Sequence, residues 1–400
     1  MTATNDLEDG VLTGNCSGTG NTAASQVSSM KPLPFFLGLL SGLIALSVLG
    51  ANVHHDGLAA TFIRYHKLMN AESNYFPTVR EVKAIVELAP PPAIHVIVGG
   101  SSVFFGEGQS EGVLWTRKLQ EILGPQFRVI NLAHRSGSAT DFGSVAAEML
   151  LQQGRPVIFF GDANHVGYAN RLEDSFYRHM LFDAWHHGLL LPWTPRDEYL
   201  RNAVWSTDSG LRNAALQEWF NYLLNFNDLW NFVSYNFVGL SWNPLLAILS
   251  FSPRRDLSDP EPPPEVYRDI RYRDNLVAVL TLSRRDMVDM TRRMLENMRL
   301  TEQLVPPRLR NITLVAIDLV SPYYMDRLGP QARAALLDQA VDHARAMKAS
   351  GFREVIVPAM DFISDDYVDR VHLSSSGGEK VAKSAAPVIR QIAADLGYLK

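Results

Sequence analysis

The chain has 400 residues, a hydrophobic fraction of 46% and a formal net charge of -5. That is enough apolar material for a large core, spread over two or three domains or one elaborated domain. The acidic balance offers no broad basic surface and argues against nucleic acid as a partner. One cysteine, Cys16, excludes an internal disulfide framework and leaves the compartment open.

Residues 1–31 read as a disordered leader, since Thr2 to Ser29 is rich in Ser, Thr, Gly and Asn. Residues 32–53 carry no charge, and Phe35, Phe36, Leu40, Ile44 and Leu49 spread over every helical face. The length matches a bilayer core of roughly 30 Å, and all-round apolarity distinguishes the segment from a one-sided core helix. It reads as a transmembrane signal anchor. A signal peptide is the alternative, because Val48-Leu49-Gly50 before Ala51 resembles a small-residue cleavage site. Met30-Lys31 would make a natural start with a short basic region. Lys31 before the segment and Arg64 and Lys67 after it leave topology undecided by charge. Cys16 precedes the apolar run and is not placed as a lipoprotein cysteine.

Residues 54–92 form a mixed helical connector ending at Pro90-Pro91-Pro92. Strand and helix signals then alternate over 93–169. A strand is expected over Ile94 to Val98, a helix over Val113 to Leu123, and a strand over Phe127 to Leu132. A helix over Phe142 to Gln153 and a strand over Val157 to Phe160 follow. The pattern resumes over 306–400, with a strand at Ile312 to Ile317 and a helix at Gln331 to Ala349. A strand at Glu354 to Val357 and a helix at Gly378 to Leu396 complete it. Short apolar strands alternating with helices indicate an α/β fold with a mostly parallel sheet covered on both faces.

Between these halves, residues 170–305 form a helical, aromatic-rich insertion holding six of the seven tryptophans. Leu229 to Ser252 is uncharged but interrupted by Asn231, Asn236, Asn243 and Pro244, which favours a buried or interfacial cap over a second spanning helix. Asp259 to Glu265 is a proline-stiffened linker. A helix over Asp274 to Gln303 follows, with Met287, Met290, Met294 and Met298 on one face as core filling.

The candidate chemistry begins at Ile94 to Gly108, where an apolar strand breaks at two glycines and places Ser101 and Ser102 at a turn. Such a junction lifts one side chain above a sheet, and Ser102 is the candidate nucleophile. It needs a base, and the base an orienting acid. Asp369 and His372, three residues apart in D-R-V-H-L-S-S-S-G-G, supply that pair after the last strand. Oxyanion donors could come from the backbone of Gly137 in N-L-A-H-R-S-G-S and the amide of Asn164 in G-D-A-N-H. Asp162 and His165 flank that asparagine. No metal spacing such as H-E-x-x-H, no P-loop and no complete dinucleotide fingerprint is present. His179 with His186 and His187 reads as surface or interfacial, so neither metal nor cofactor is expected.

Taken together, G-S-S-V-F-F-G, the Gly137 block, G-D-A-N and the Asp369-His372 block resemble the SGNH (GDSL-like) hydrolase superfamily. The resemblance covers Ile94 to Gly167 and Ile312 to Lys400. It implies a flavodoxin-like three-layer fold and the catalytic residues Ser102, His372 and Asp369, with Ser102, Gly137 and Asn164 around the oxyanion. Three departures stand out. Ser101 replaces the usual Asp of the first block, the second block holds one extra residue between Asn131 and Gly137, and the third carries Asp162 and His165. Ser101, Asp162 and His165 are therefore candidates for a supporting shell. More loosely, the chain is similar to membrane-anchored envelope acyl-transfer proteins, such as the D-alanyl transfer protein of teichoic acids and alginate-type O-acetylation proteins.

The resemblance implies an esterase or O-acyltransferase acting on an acylated envelope or exported polysaccharide through an acyl-serine intermediate. It implies an extracytoplasmic C-terminal domain and a membrane-bound O-acyltransferase as a partner. Two other readings are a non-catalytic glycan- or partner-binding component of an acylation complex and a lipid-directed esterase.

Overall fold

The computed structural model describes residues 32–54, 77–88, 93–109, 111–134, 142–163, 178–191, 202, 205–207, 209–236, 305–318 and 320–399. The leader, the Asp274–Gln303 helix with its methionine face, and Gly137, Asn164 and His165 lie outside them. Two compact units divide at Gly42 and Leu43. Helix α1 (Pro32–Ala51) runs through that division and is, among the described residues, the one helix long and apolar enough to cross a membrane. In its second half Ile44, Val48 and Leu49 are exposed.

The larger unit is built on a five-stranded, all-parallel sheet. Its strands are β1 (Ile94–Gly99), β2 (Phe127–Asn131), β3 (Val157–Asp162), β4 (Thr313–Ala316) and β5 (Glu354–Ile356), in the order β2-β1-β3-β4-β5. Every residue of β1 and β3 is buried, as expected of central parallel strands covered on both faces. The β-branched run of β1 sets Val96 beside Val129 of β2 and Ile158 of β3. Helix α2 (Val79–Glu87) precedes the sheet, and the four-residue α3 (Ser102–Phe105) follows β1. Helix α4 (Trp115–Leu123) packs on β2, and α5 (Phe142–Gln152) on β1 and β3. Described parts of the insertion are helical: α6 (Arg178–His186), α7 (Ser209–Leu223) and α8 (Phe226–Asn236). The chain returns through α9 (Pro307–Arg310) to β4, then α10 (Pro322–Leu328) and α11 (Pro330–Ala349) lead to β5. Helix α12 (Ser375–Asp395) closes the unit against α4.

Three boundaries differ from the sequence reading by two residues or more, each for an identifiable reason. The helix expected from Val113 starts at Trp115, behind a separate 3-10 turn at Glu111–Val113. Leu114 provides no capping side chain, and the Trp115 N–H donates instead to Gln109 Oε1 at 2.9 Å. Strand β3 continues through Gly161 and Asp162, because both pair in register with β4. Helix α12 starts at Ser375, three residues early, capped by the Ser374 hydroxyl on the Gly377 N–H.

Gly143 of α5 and Gly99 of β1 bring helix and sheet backbones into close approach. A Cβ on Gly143 would lie 2.4 Å from the Gly99 Cα. On an exposed helical face Gly→Ala gains up to about 1 kcal/mol. Here Gly143→Ala is expected to destabilise by about 1–3 kcal/mol through overpacking, measured as a lower urea midpoint in detergent.

Candidate active site

Strand β1 leaves the sheet at Gly99, and Gly100 turns the chain with φ +122. A side chain is excluded there twice over, by the left-handed backbone and because its Cβ would lie 3.0 Å from the Asp162 carboxylate. Ser101 then caps α3, its hydroxyl accepting the Val103 N–H at 3.2 Å. The Ser101 N–H donates to Asp162 Oδ2 at 2.8 Å, and the Ser101 hydroxyl donates to the same oxygen. Asp162, fully buried at the end of β3, thus holds the whole turn from below.

Ser102 opens α3, where its N–H has no carbonyl four residues back to bond within the helix. The helix ends after one turn at Gly106, left-handed at φ 85. Its Phe104 carbonyl accepts from the Trp115 indole at 2.9 Å and from the Asn131 amide at 3.1 Å. The nucleophile candidate therefore rides on a short helix anchored at both ends by buried side chains.

The second half of the site is a tight loop between η-turn residues 364–366 and α12. Tyr367 and Leu373 form an antiparallel bridge, and the Val368 N–H donates to the His372 carbonyl at 2.9 Å. Asp369 sits at the turn. One carboxylate oxygen, Oδ1, accepts the N–H groups of Val371 and His372, both at 2.8 Å. The other, Oδ2, lies 2.5 Å from His372 Nδ1, and His372 Nε2 lies 2.8 Å from Ser102 Oγ. A carboxylate can only accept, so in the neutral imidazole the proton belongs on Nδ1 and Nε2 is left to accept from the serine. Burial pushes the Asp369 carboxyl up. The His372 hydrogen bond and charge, with the two backbone N–H groups, outweigh it and hold the group below the ordinary carboxylate range.

Two fasteners hold the loop against the Ser102 turn, and neither was among the sequence candidates. Gln109, buried, donates its amide to the carbonyls of Leu373 and Ser374 at 3.1 and 3.2 Å while its oxygen caps α4. Gly108 lies so close to Val368 that a Cβ would meet Cγ2 at 2.6 Å. Beneath the loop, Asp366 accepts from Lys380 at 2.7 Å, from Ser376 at 2.8 Å and from the Ile363 N–H at 2.8 Å. No sequence signal marks Gln109, because its loop partners lie 264 and 265 residues away.

The structure thus joins Ser102, His372 and Asp369 in one hydrogen-bonded line and places Ser101 on Asp162. Gly137, Asn164 and His165 fall outside the described residues. Among the described residues no group of three His, Cys, Asp or Glu could hold a metal ion. The His186 ring stacks on Tyr222 at 4.3 Å, and His187 Nδ1 lies 3.1 Å from the Asp183 carboxylate. No protein-family model, no curated protein and no solved structure matches the chain.

Because the folded Asp369 is a stronger acid than an unfolded aspartate, its stabilisation is complete above the unfolded value of about 4 and is lost as pH falls through the lower folded value. Asp369→Asn is therefore expected to be less stable than the parent at pH 7, with the gap narrowing below about pH 4, read by urea unfolding at both pH values. Asp162→Ala strips the acceptor from two buried Ser101 donors and is expected to cost about 1–3 kcal/mol in the same assay.

Proposed function

We propose that the chain is an SGNH-type serine acyl-transfer enzyme, an esterase or O-acyltransferase, held at a membrane by α1. The observation that carries this reading is the line Ser102 Oγ, His372 Nε2, His372 Nδ1, Asp369 Oδ2, with steps of 2.8 and 2.5 Å between atoms contributed by segments 270 residues apart. The strand order 2-1-3-4-5 supports it. That is the flavodoxin-like order, and ligands bind such sheets beyond the carboxyl ends of the strands where the order reverses. Here the reversal lies between β1 and β3, which lead to Ser102 and Asp162.

The chemistry follows from the hydrogen bonds. Ser102 Oγ attacks an ester or thioester carbonyl as its proton passes to His372 Nε2. The resulting imidazolium is stabilised by Asp369, which stays ionised because its two backbone donors favour the charged form. The Ser102 N–H is one donor for the developing oxyanion, and the motif assigns Gly137 and Asn164 to the same role. Collapse returns the proton from His372 to the leaving oxygen or sulfur and leaves an acyl-serine. A hydroxyl acceptor then gives its proton to Nε2, attacks the acyl carbon, and frees Ser102. Water as acceptor makes an esterase and a carbohydrate hydroxyl makes an O-acyltransferase. Anchorage beside the envelope and the large insertion favour an acylated envelope polysaccharide as substrate, with an extracytoplasmic catalytic unit and a membrane-bound O-acyltransferase as the source of acyl groups.

A fluorophosphonate probe tests the reading on the full chain in detergent. The parent should label, Ser102→Ala should not, and His372→Ala should label about 10²–10⁴-fold more slowly. A parent chain that is folded and unlabelled would sink the assignment.

A further inference from the structure

The hairpin of α7 and α8 is turned inside out for a water-facing element. Between Glu218 and Val233 every exposed residue is large and apolar: Phe220 at 55%, Leu223 at 47%, Phe226 at 43% and Trp230 at 39%. The spacing is i, i+3 on α7 and i, i+4 on α8, so the two pairs form an apolar stripe one turn deep on either side of the hairpin turn. From Trp219 to Asn236 the one charged residue is Asp228, and it points inward. It is 6% exposed, accepts from the Thr78 hydroxyl at 2.7 Å and lies 3.7 Å from the Arg80 guanidinium. Polar side chains such as Asn231 also face the interior, where its amide donates to Glu81 at 2.8 Å. Soluble helical hairpins place these two residue classes the other way round.

The same hairpin is fastened to the last turns of α1. Asn225 occupies its turn with φ 49, a left-handed position that asparagine tolerates. Its amide donates to the Ser47 carbonyl and hydroxyl, both at 3.3 Å, and the Ser47 hydroxyl reaches the Leu223 carbonyl at 3.5 Å. Gly50 lets the two backbones meet, since a Cβ there would lie 2.3 Å from the Asn225 carbonyl oxygen. Arg80 closes the end of α1 by donating to the carbonyls of Gly50 and Ala51 at 2.8 Å and Val53 at 3.2 Å. The guanidinium also complements the negative end of the helix dipole.

We propose that the α7–α8 hairpin is a second membrane contact, seated in the headgroup–acyl boundary of the bilayer that α1 enters. The proposal rests on the reading of α1 as a membrane segment. Ser47 lies four residues before Ala51, about 6 Å along the helix axis. The apolar stripe therefore begins at the depth of about 5–10 Å to which interfacial helices bury their apolar faces. Trp and Phe without lysine or aspartate suit that depth. The exposed side chains of Ile44, Val48 and Leu49 on α1 belong to the same environment. With one rigid helix end and one seated hairpin, the catalytic unit is held at a set height and tilt over the lipid instead of swinging on a tether.

The test uses the full chain in vesicles of phosphatidylcholine and phosphatidylglycerol. In a Cys16→Ser background, single cysteines at Leu223, Phe226, Ile44 and Glu121 carry an environment-sensitive fluorophore. These positions are exposed, so the core is not disturbed. The expected result is that labels at 223, 226 and 44 are quenched by lipid bearing a nitroxide near the top of the acyl chain. They should be shielded from iodide, and the label at 121 should show the reverse. If 223 and 226 behave like 121, the hairpin faces water and the proposal falls. If they are shielded from iodide and from lipid quencher alike, protein covers them and the proposal also falls. In either case a quenched label at 44 shows that the anchor reading survives, and an unquenched one shows that it has fallen too.

Discussion

Gln109 is the side chain on which the candidate site depends most directly. Its oxygen starts α4 and its amide grips the loop that carries His372, so one buried residue connects the two regions bearing the serine and the histidine. Those regions meet across 270 residues of chain, and the loss of chain entropy in joining them is offset by burial on both sides. Gly108 against Val368 shows how close the contact is, with no room for a methyl group between the two turns. Hydrogen-bond distances near 2.8 Å between Ser102 and His372 are a consequence of this packing, because neither side chain could impose them alone.

The exchange at the first turn makes physical sense in the same frame. Ser101 is a departure from the motif that the sequence resembles, and beneath it lies a buried carboxylate from β3, Asp162. One of its oxygens takes both donors of Ser101, and Gly100 leaves the space that the carboxylate needs. Hydrogen-bond acceptance under the turn is thereby supplied from a neighbouring strand. In the sequence this exchange looked like a defect of the motif. In the fold it is a substitution of one scaffold position for another.

A comparable economy ties the N-terminal helix to the rest. Arg80, Asn225 and Gly50 give the last turns of α1 backbone-level contacts with α2 and the α7–α8 turn. The aromatic insertion, ambiguous between core and interface in the sequence, divides between buried and exposed side chains. Phe182 and Tyr222 pack inward, the latter on His186, whereas Phe220, Phe226 and Trp230 remain uncovered among the described residues.

The sequence by itself determined the α/β alternation, the five strands to within a residue or two, and the uncharged N-terminal helix. These are local properties: β-branched runs, helical periodicity and the absence of charge are written into consecutive residues. It also singled out Ser102, Asp369 and His372, because a glycine-serine turn and a tightly spaced acid and histidine are short motifs. Only the tertiary structure decided that the three side chains lie in one line, that Asp162 serves Ser101, and that Gln109 bridges the halves. Those relations join segments from 61 to 270 positions apart in the chain, and no periodicity encodes which distant strand end or loop will be a neighbour. The same holds for the start of α4, where Gln109 took the role of a cap that no local signal announced.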